Sequence, residues 1–445
     1  NSFGMAKKED DLLSQKSLQL ATENLLQQAD TEWGGFGNAP KFPQTFSIQF
    51  LLREYYFNQN KNSLQQALLS LDKMILGGIY DQTGGGFARY STDRMWLAPH
   101  FEKMLYDNAL LVSALSEAFI ITKKTLYKNA IEQTIRFLER EMLDASDGFY
   151  AALDADSEGV EGKFYTWQKK EIENILKEDA GIFCAVYDIK EKGNWEHTNI
   201  LWMPNNSNEV SKQFSISRDE LENILQSCRQ KLLAERNKRI RPQTDDKILL
   251  GWNALLITAL CKAFSVLKHE HYLQLATNCF SFLEKNMFDE KRKKWLHTWK
   301  NNKGRIDAFL DDYAMLINAC IHLQEATGDA IYLQKAKTLA EFVIENFSDE
   351  TQTFFFYTEK DQSDIIVRKK EIYDGATPSG NSLMANNLLY LSIVFDKPEW
   401  RERVVAMLQS LGNSIVRYPT SFGVWCDALQ KIVRGVNEIV IAGKE

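Results

Sequence analysis

The chain has 445 residues, 44% of them apolar, which is enough to bury a large core in one big domain or in two to three ordinary ones. Its net charge of −7 comes from interspersed acidic and basic residues without a basic stripe. This distribution argues against nucleic acid and anionic membranes as partners.

The six cysteines form no C-x-x-C pair and no short ligand spacing. Cys261, Cys279 and Cys320 fall inside apolar helical patterns, where a cysteine behaves as a small buried side chain. We therefore expect structural thiols in a reducing compartment. No long apolar run and no signal-peptide pattern is visible, so the sequence predicts a cytoplasmic protein without a membrane span.

Apolar residues spaced by three and four predict fourteen helices, most of which end at Gly, Asp or Asn. These helices cover residues 14–29, 45–58, 63–77, 103–123, 125–142, 168–178, 216–238, 249–268, 270–287, 309–327, 330–347, 379–395, 398–415 and 424–434. Aromatic segments of alternating character predict short hairpins between the helices. These segments are residues 148–152, 162–167, 294–299 and 353–358. A buried strand is predicted over 437–443.

The predicted helices contain a repeat whose aromatic positions recur at fixed shifts. Tyr127 reappears as Tyr272 after 145 residues and as Tyr332 after a further 60. Phe137 follows the same two shifts. A repeated helix pair with one apolar face cannot bury that face alone, so its copies must pack side by side.

The repeat predicts an all-α fold, an (α/α)6 toroid of helical hairpins with short β-hairpin insertions at one rim. Proline is scarce, with eight in the chain, and no Gly/Ser-rich linker is present. Residues 1–445 are therefore expected to form a single domain. The helices that begin near Met104, Leu249, Phe309 and Ser379 are expected on the inner ring.

A polar segment with three consecutive glycines leads into one of these inner helices. It supplies Tyr80, Asp81 and Arg89 as candidate substrate-binding residues. His100 follows a proline just before the helix, and its ordinary pKa near 6.5 suits an acid or base at neutral pH. A tight turn and a hydrogen-bonded structural histidine are the alternative interpretations.

A second candidate motif carries three acidic residues in alternation. Asp154, Asp156 and Glu158 would point to one face of an extended segment, because side chains alternate with period two. Like charges on one face repel, which raises at least one pKa and suits proton donation. A calcium loop or a solvated turn is the alternative, although the EF-hand spacing is not met.

Polar residues also recur at the starts of the inner helices, where exposed N–H groups and the positive dipole end favour anionic or hydroxyl-rich ligands. Asp312 is the catalytic candidate among them. The substrate-binding candidates at these positions are Asp107, Asn108, Trp252, Asn253, Tyr313 and Asn381. Helix capping is the alternative role.

Several motifs resemble the thioredoxin-domain-containing, spermatogenesis-associated protein family across nearly the whole chain. They are PKFP (40–43), the segment 78–108, DADSEG (154–159), GNWE (193–196) with NIL (199–201), DDYA (311–314) and DGATPSGN (374–381). The resemblance implies a toroid related to N-acylglucosamine 2-epimerases and six-hairpin glycosidases, preceded by a thioredoxin-like domain. The sequence lacks that domain and its redox cysteines, so we expect a fragment of a longer chain and assign it no redox function.

These observations predict a central polar and aromatic cavity that binds a small polar substrate, a sugar. We expect the protein to act on this sugar by acid/base chemistry. The candidate catalytic residues are His100, Asp154, Asp156 and Asp312. Glycoside hydrolysis would need two carboxyl groups roughly 5 or 6.5–9.5 Å apart. Isomerisation would need two bases, with His197 or His297 as the partner of His100. A non-catalytic glycan or peptide binder, or a scaffold for a thioredoxin-like domain, is the alternative.

No metal and no organic cofactor are predicted. The six histidines form no H-x-x-x-H or H-x-x-E-H pattern, and no cysteine cluster exists to supply ligands for a transition metal. The three consecutive glycines lack the leading strand and the Lys-Ser/Thr ending of a phosphate loop, and no dinucleotide fingerprint is present.

Overall fold

Helices dominate the residues described by the computed structural model, which are 12–205, 207–360, 362 and 367–438. The predicted all-α class is confirmed, with only short strands between the helices. The strand predicted over 437–443 lies outside the described residues from 439 onward.

Six helices in the described part of the chain pack side by side into a closed inner ring. They are α2 (Thr45–Asn58), α4 (Leu105–Thr122), α10 (Leu250–Leu267), α12 (Leu310–Thr327), α14 (Gly380–Val394) and α17 (Gly423–Arg434). Each contacts the next in this order, and α17 contacts α2 to close the ring. The inner position predicted for the helices near Met104, Leu249, Phe309 and Ser379 is confirmed.

The outer layer consists of helices that pack antiparallel to the inner ones. They are α1 (Gln15–Gln27), α3 (Lys61–Leu76), α5 (Thr125–Glu141), α11 (Glu270–Met287), α13 (Ala330–Phe347) and α15 (Pro398–Leu411), followed by the short α16 (Ser414–Arg417). Helix α1 packs against α17, so the two ends of the toroid complete the sixth hairpin. The helix predicted over 398–415 is split at Gly412, which has a positive φ of 55°.

Between α5 and α10 the chain inserts a helical unit with its own apolar core. Its helices are α6 (Lys169–Leu176), α7 (Ala180–Val186), α8 (Ser207–Gln213) and α9 (Arg218–Arg236). Trp167, Phe183 and Leu225 are among the residues of this second core. The sequence pattern did not predict α7 and α8, because seven residues are too few to establish a helical period.

Short antiparallel strands occupy the rim where the chain passes from an outer helix to the next inner helix. They are β1 (Tyr90–Ser91), β2 (Pro99–His100), β3 (Lys103–Met104), β4 (Ala152–Leu153), β5 (Asp156–Ser157), β6 (Val160–Glu161), β7 (Thr244–Asp245), β8 (Ile248–Leu249), β9 (Phe288–Asp289), β10 (Lys294–Lys300) and β11 (Lys303–Asp307). Of the four predicted hairpins, only the one at 294–299 forms as a regular pair, β10 with β11. The segments 148–152, 162–167 and 353–358 make bridges or turns instead.

The same small turn recurs at five of these crossings. In each copy a bridge residue is followed by an aspartate whose side chain accepts a hydrogen bond from a backbone N–H inside the turn. These aspartates are Asp30, Asp81, Asp144, Asp289 and Asp349. The last three recur at the shifts of 145 and 60 residues that define the helical repeat, so at these three crossings the turn belongs to the repeat.

Two helices, α4 and α10, are long and apolar enough to cross a membrane when judged by length and composition alone. Both are inner helices of the ring, with 72% and 67% of their residues buried. Contacts on all sides account for their apolar character.

Candidate functional site

The N-terminal ends of the inner helices meet the rim strands around one opening of the ring, which we call the mouth. Its ionisable residues are Arg89, His100, Glu102, Asp107, His297 and Asp311. All of them lie in rim segments or in the first turn of α4 and α12. The mouth therefore combines titratable side chains with helix N-termini.

Asp107 is the third residue of α4 and is only 7% exposed. Burial raises the pKa of its carboxyl group well above the ordinary value, and the nearby Arg89 offsets this only in part. Its Oδ2 oxygen is buried and accepts no hydrogen bond. The raised pKa favours the protonated form of this carboxyl group, which can donate a proton.

Arg89 and His100 lie beside Asp107 on the rim. The Arg89 guanidinium pairs with Glu102 at 3.2 Å, while its buried Nε has no acceptor. The His100 ring stacks on Tyr90 with centroids 5.1 Å apart, and its Nδ1 lies 2.8 Å from a carboxylate oxygen of Glu161. His100 is thus held on the rim by an aromatic ring and a carboxylate.

The acidic segment predicted as catalytic reaches the same rim through the β5–β6 hairpin. Glu161 on β6 contacts His100, which brings the segments 77–100 and 154–167 to one end of the ring. Asp154 and Asp156 are both exposed, and Asp154 accepts a hydrogen bond from the N–H of Ala155. Both side chains are therefore open to solvent, unlike the buried Asp107.

His297 and Asp312 form a hydrogen-bonded pair on the opposite side of α10. Asp312 Oδ2 lies 2.8 Å from His297 Nδ1 and also accepts the N–H of Phe309, while Oδ1 accepts the N–H of Gly251. Burial disfavours the charged imidazole, yet the bond to Asp312 raises the pKa of His297 above its ordinary value. Both carboxylate oxygens of Asp312 already have hydrogen-bond partners, so Asp312 positions His297. The Nε2 nitrogen of His297 points away from this carboxylate.

Asp311, next to this pair, is the most suitable acid/base group of the mouth. Burial and the neighbouring Asp312 raise the pKa of its carboxyl group to about 7, even though it accepts a hydrogen bond from the N–H of Gly380 at 2.7 Å. Its side chain remains half-buried rather than sealed. The sequence predicted Asp312 as the catalytic residue and did not distinguish it from Asp311, the other aspartate of the DDYA motif.

Trp252 lies between Asp107 on α4 and Asp311 on α12, because it is the third residue of α10, the helix that separates α4 from α12. Its ring is half-exposed and stands edge-on to Tyr106, with centroids 4.8 Å apart. Tyr357, stacked on Phe309 at 4.9 Å, adds a second aromatic surface near Asp311. Such rings offer flat faces on which an apolar sugar face can stack.

The predicted ligand-binding asparagines have a structural role instead. Each is fully buried, accepts the N–H of a rim residue through Oδ1, and donates Nδ2 back to the carbonyl of that same residue. The pairs are Asn108 with Phe87, Asn253 with Phe149 and Asn381 with Phe355. The Tyr313 hydroxyl accepts the N–H of Trp295 in the equivalent place. These side chains fasten the rim turns to the inner helices and have no polar group left for a ligand.

Tyr80 and Asp81 lie outside the mouth, against the outer helix α5. The Tyr80 hydroxyl donates to Gln133 at 2.8 Å. Asp81 is one of the turn aspartates and is buried between Lys103 and Arg236. Burial alone would raise the pKa of Asp81, but the two cations hold it well below the ordinary value. Neither residue can contact a substrate in the mouth.

Deeper in the ring, a cavity of about 180 Å³ is lined by side chains from all six inner helices, including Arg53, Lys262 and Asp427. Across the described residues, no three His, Cys, Asp or Glu side chains converge as a set of metal ligands.

The chain is 30% identical to human spermatogenesis-associated protein 20 over 453 aligned residues, which cover 93% of this chain and 58% of the human protein. The resemblance is confirmed. The chain spans less than two thirds of the curated relatives that it matches. No family model matches it.

Solved structures with the same toroid include cellobiose 2-epimerase from Bacillus thermoamylovorans, with a TM-score of 0.57 and 12% identity. That alignment covers 89% of this chain and 86% of the epimerase. A family 76 glycoside hydrolase (mannosidase) from Bacteroides thetaiotaomicron matches with a TM-score of 0.53 and 10% identity, over 94% of this chain and 97% of the hydrolase. At such identities the likeness establishes the (α/α)6 toroid fold.

Proposed function

We propose that the mouth of this relative of spermatogenesis-associated protein 20 binds a carbohydrate or a similar polyol and transfers protons on it. Two structural neighbours are a sugar epimerase and a mannosidase, which makes the class of substrate reasonable. The fold alone does not define chemistry, so the argument depends on the residues of the mouth.

One observation carries the proposal. Asp107 and Asp311 are two carboxyl groups with raised pKa values, located on either side of the helix that bears Trp252. Asp311, whose pKa is raised to about 7, can both give and take a proton during a catalytic cycle. Paired acid/base groups on the two sides of an aromatic platform are what proton transfer on a stacked sugar requires.

Each group has a distinct role in this proposal. Asp107, whose raised pKa favours the protonated form, donates a proton to a leaving or ring oxygen. Asp311 exchanges protons near pH 7, and His297, oriented by Asp312, acts as the base beside it. Trp252 carries the sugar ring, and Arg89 donates hydrogen bonds to its hydroxyl groups.

Hydrolase and isomerase chemistry both use such groups. The two carboxyl groups suit glycoside hydrolysis, in which one acts as acid and the other as base or nucleophile. His297 and His100, on either side of α10, suit an isomerase with two bases. The products separate these reactions, because hydrolysis yields a free sugar and the released aglycone, whereas isomerisation yields one altered sugar.

The test is a panel of aldoses, ketoses, disaccharides and aryl glycosides, with binding measured by calorimetry and products by proton NMR. We expect at least one saccharide to bind and be converted by the wild type. Asp107→Asn and Asp311→Asn should bind it within a few-fold but convert it at least about 100-fold more slowly. Asp219→Asn, an exposed carboxylate on α9, is the matched control and should behave as wild type.

If no saccharide binds, or if both variants turn over normally, the enzymatic proposal is wrong. A binding or scaffold role beside a thioredoxin-like domain would then be favoured, since the relatives are longer than this chain. That role predicts that deleting the toroid from a full-length relative impairs the other domain.

A further inference from the structure

A second charged cavity lies away from the mouth, where the inserted helical unit meets the toroid. Its volume is about 160 Å³. Four cationic side chains line it: Lys103 on β3, Arg140 in the last turn of α5, Arg236 at the end of α9, and Arg241 just after it. The cavity is thus enclosed by three separate parts of the chain.

Among the residues that the structure describes, two carboxylates line this cavity, and each is shared by two cations. Asp81 pairs with Lys103 at 2.9 Å and with Arg236 at 2.8 Å. Glu141 pairs with Arg140 at 2.7 Å and also with Arg241. Two formal positive charges therefore remain, which the partial negative charges at the ends of α5 and α9 reduce to roughly one.

Two of the four cationic side chains are deeply buried, and one of these two has an unused hydrogen-bond donor. The side chains of Lys103 and Arg236 are each 3% exposed, and the buried Nε of Arg236 has no hydrogen-bond acceptor among the described residues. Burial lowers the pKa of Lys103 to about 8, even though Asp81 favours its charged form. Excess buried positive charge with an unused donor is costly unless an anion neutralises it.

We propose that this cavity binds a small oxyanion of the phosphate class. Guanidinium and ammonium donors are the groups that bind tetrahedral oxyanions best. At about 30 Å³ per water, the cavity has room for roughly five waters, or for one phosphate with a few of them, but not for a nucleotide. The remaining positive charge is opposite in sign to that of inorganic phosphate and of similar magnitude.

The three consecutive glycines of the rim are part of this arrangement. A Cβ atom at Gly84 would collide with the Nη2 nitrogen of Arg236, and Gly85 and Gly86 have φ angles of 76° and 80° against α5. The loop can therefore lie flat between α5 and the end of α9. A bound anion would connect the inserted unit with the toroid at this contact.

The test is calorimetric titration of the protein with sodium phosphate, with sodium sulfate and sodium chloride at the same ionic strength as comparators. We expect saturable one-to-one binding of phosphate and none of chloride. Arg140→Gln and Arg241→Gln should each weaken phosphate binding at least tenfold, because each removes a charge-assisted donor. Arg401→Gln, an exposed arginine on α15, is the matched control and should bind as wild type.

The titration of the wild type tests whether the cavity binds phosphate at all, and it does not depend on the folding of any variant. If phosphate shows no saturable binding, or if chloride binds as well, the proposal is overturned. Equal phosphate affinity in wild type and Arg241→Gln would also overturn it, and the cluster would then be a purely structural ion network. Arg241 is 46% exposed on its side chain, so its substitution should leave the fold intact.

Discussion

His297 Nδ1 lies 2.8 Å from Asp312 Oδ2, and the other oxygen of the same carboxylate accepts the N–H of Gly251 at 3.0 Å. One side chain therefore orients a histidine of the mouth and caps the first turn of the neighbouring inner helix. This arrangement couples the protonation of the histidine to the packing of α10 against α12.

Asp312→Asn should lower the pKa of His297, because the amide cannot stabilise the imidazolium as a carboxylate does. Because the pKa of His297 is higher in the folded protein than in the unfolded chain, the pair stabilises the fold at pH values below the unfolded-state pKa of about 6.5. This stabilisation is lost as the pH rises through the pKa of His297 in the folded protein. NMR titration of the His297 ring measures the shift directly. Glu325→Gln, beside His322, is the control and should not move it. An unchanged titration in Asp312→Asn would show that the contact is not electrostatically important.

Asp311→Asn should change how stability depends on pH. The carboxyl pKa of about 7 lies above the unfolded value near 3.9, so the wild type loses stability as pH rises from about 4 to 7. The asparagine cannot ionise and should avoid that loss, which is at most about 4 kcal/mol. Urea denaturation at pH 5 and pH 8 measures the difference. Equal pH dependence in the two proteins would contradict the raised pKa, and Asp219→Asn should match the wild type.

The helices could be predicted from the sequence because their signals are local. Apolar spacing and the fixed shifts of 145 and 60 residues placed α4, α10 and α12 on the inner ring without any tertiary information. The rim could not be predicted in the same way. A strand such as β4 has only two residues, and it pairs with β7 more than ninety positions later, across the whole inserted unit.

The sequence predicted polar residues at the starts of the inner helices, and the structure shows what each of these side chains contacts. A polar side chain at a helix start can face a ligand or turn back to the rim, and Asn253 turns back. Asp144, Asp289 and Asp349 recur at the shifts of the repeat, whereas Asp81 does not, so the structural role of Asp81 is visible only in the turn that the structure shows. The difference between Asp311 and Asp312 depends on which backbone N–H each one accepts, which only tertiary structure determines.

Asn253→Ala should destabilise the protein by about 2–4 kcal/mol, because it leaves the N–H and carbonyl of Phe149 without partners inside the core. Denaturant unfolding with circular dichroism measures the loss. Asn62→Ala, an exposed asparagine at the start of α3, should stay within about 0.5 kcal/mol of the wild type. A loss below 1 kcal/mol at Asn253 would show that the rim turn does not depend on this side chain.

Trp252→Ala should weaken binding of the saccharide found for the wild type by about tenfold, and Trp252→Phe should weaken it less, because the smaller ring retains part of the stacking surface. The residue is half-exposed and touches Tyr106 only edge-on, so neither variant should lose much stability. Calorimetry gives the affinity and thermal unfolding gives the control for folding. Trp33→Phe, beside Trp202 and away from the mouth, should bind as wild type. If Trp252→Ala binds the same saccharide with unchanged affinity, the sugar does not stack between the two acid/base groups, and the roles proposed for Asp107 and Asp311 lose their common substrate.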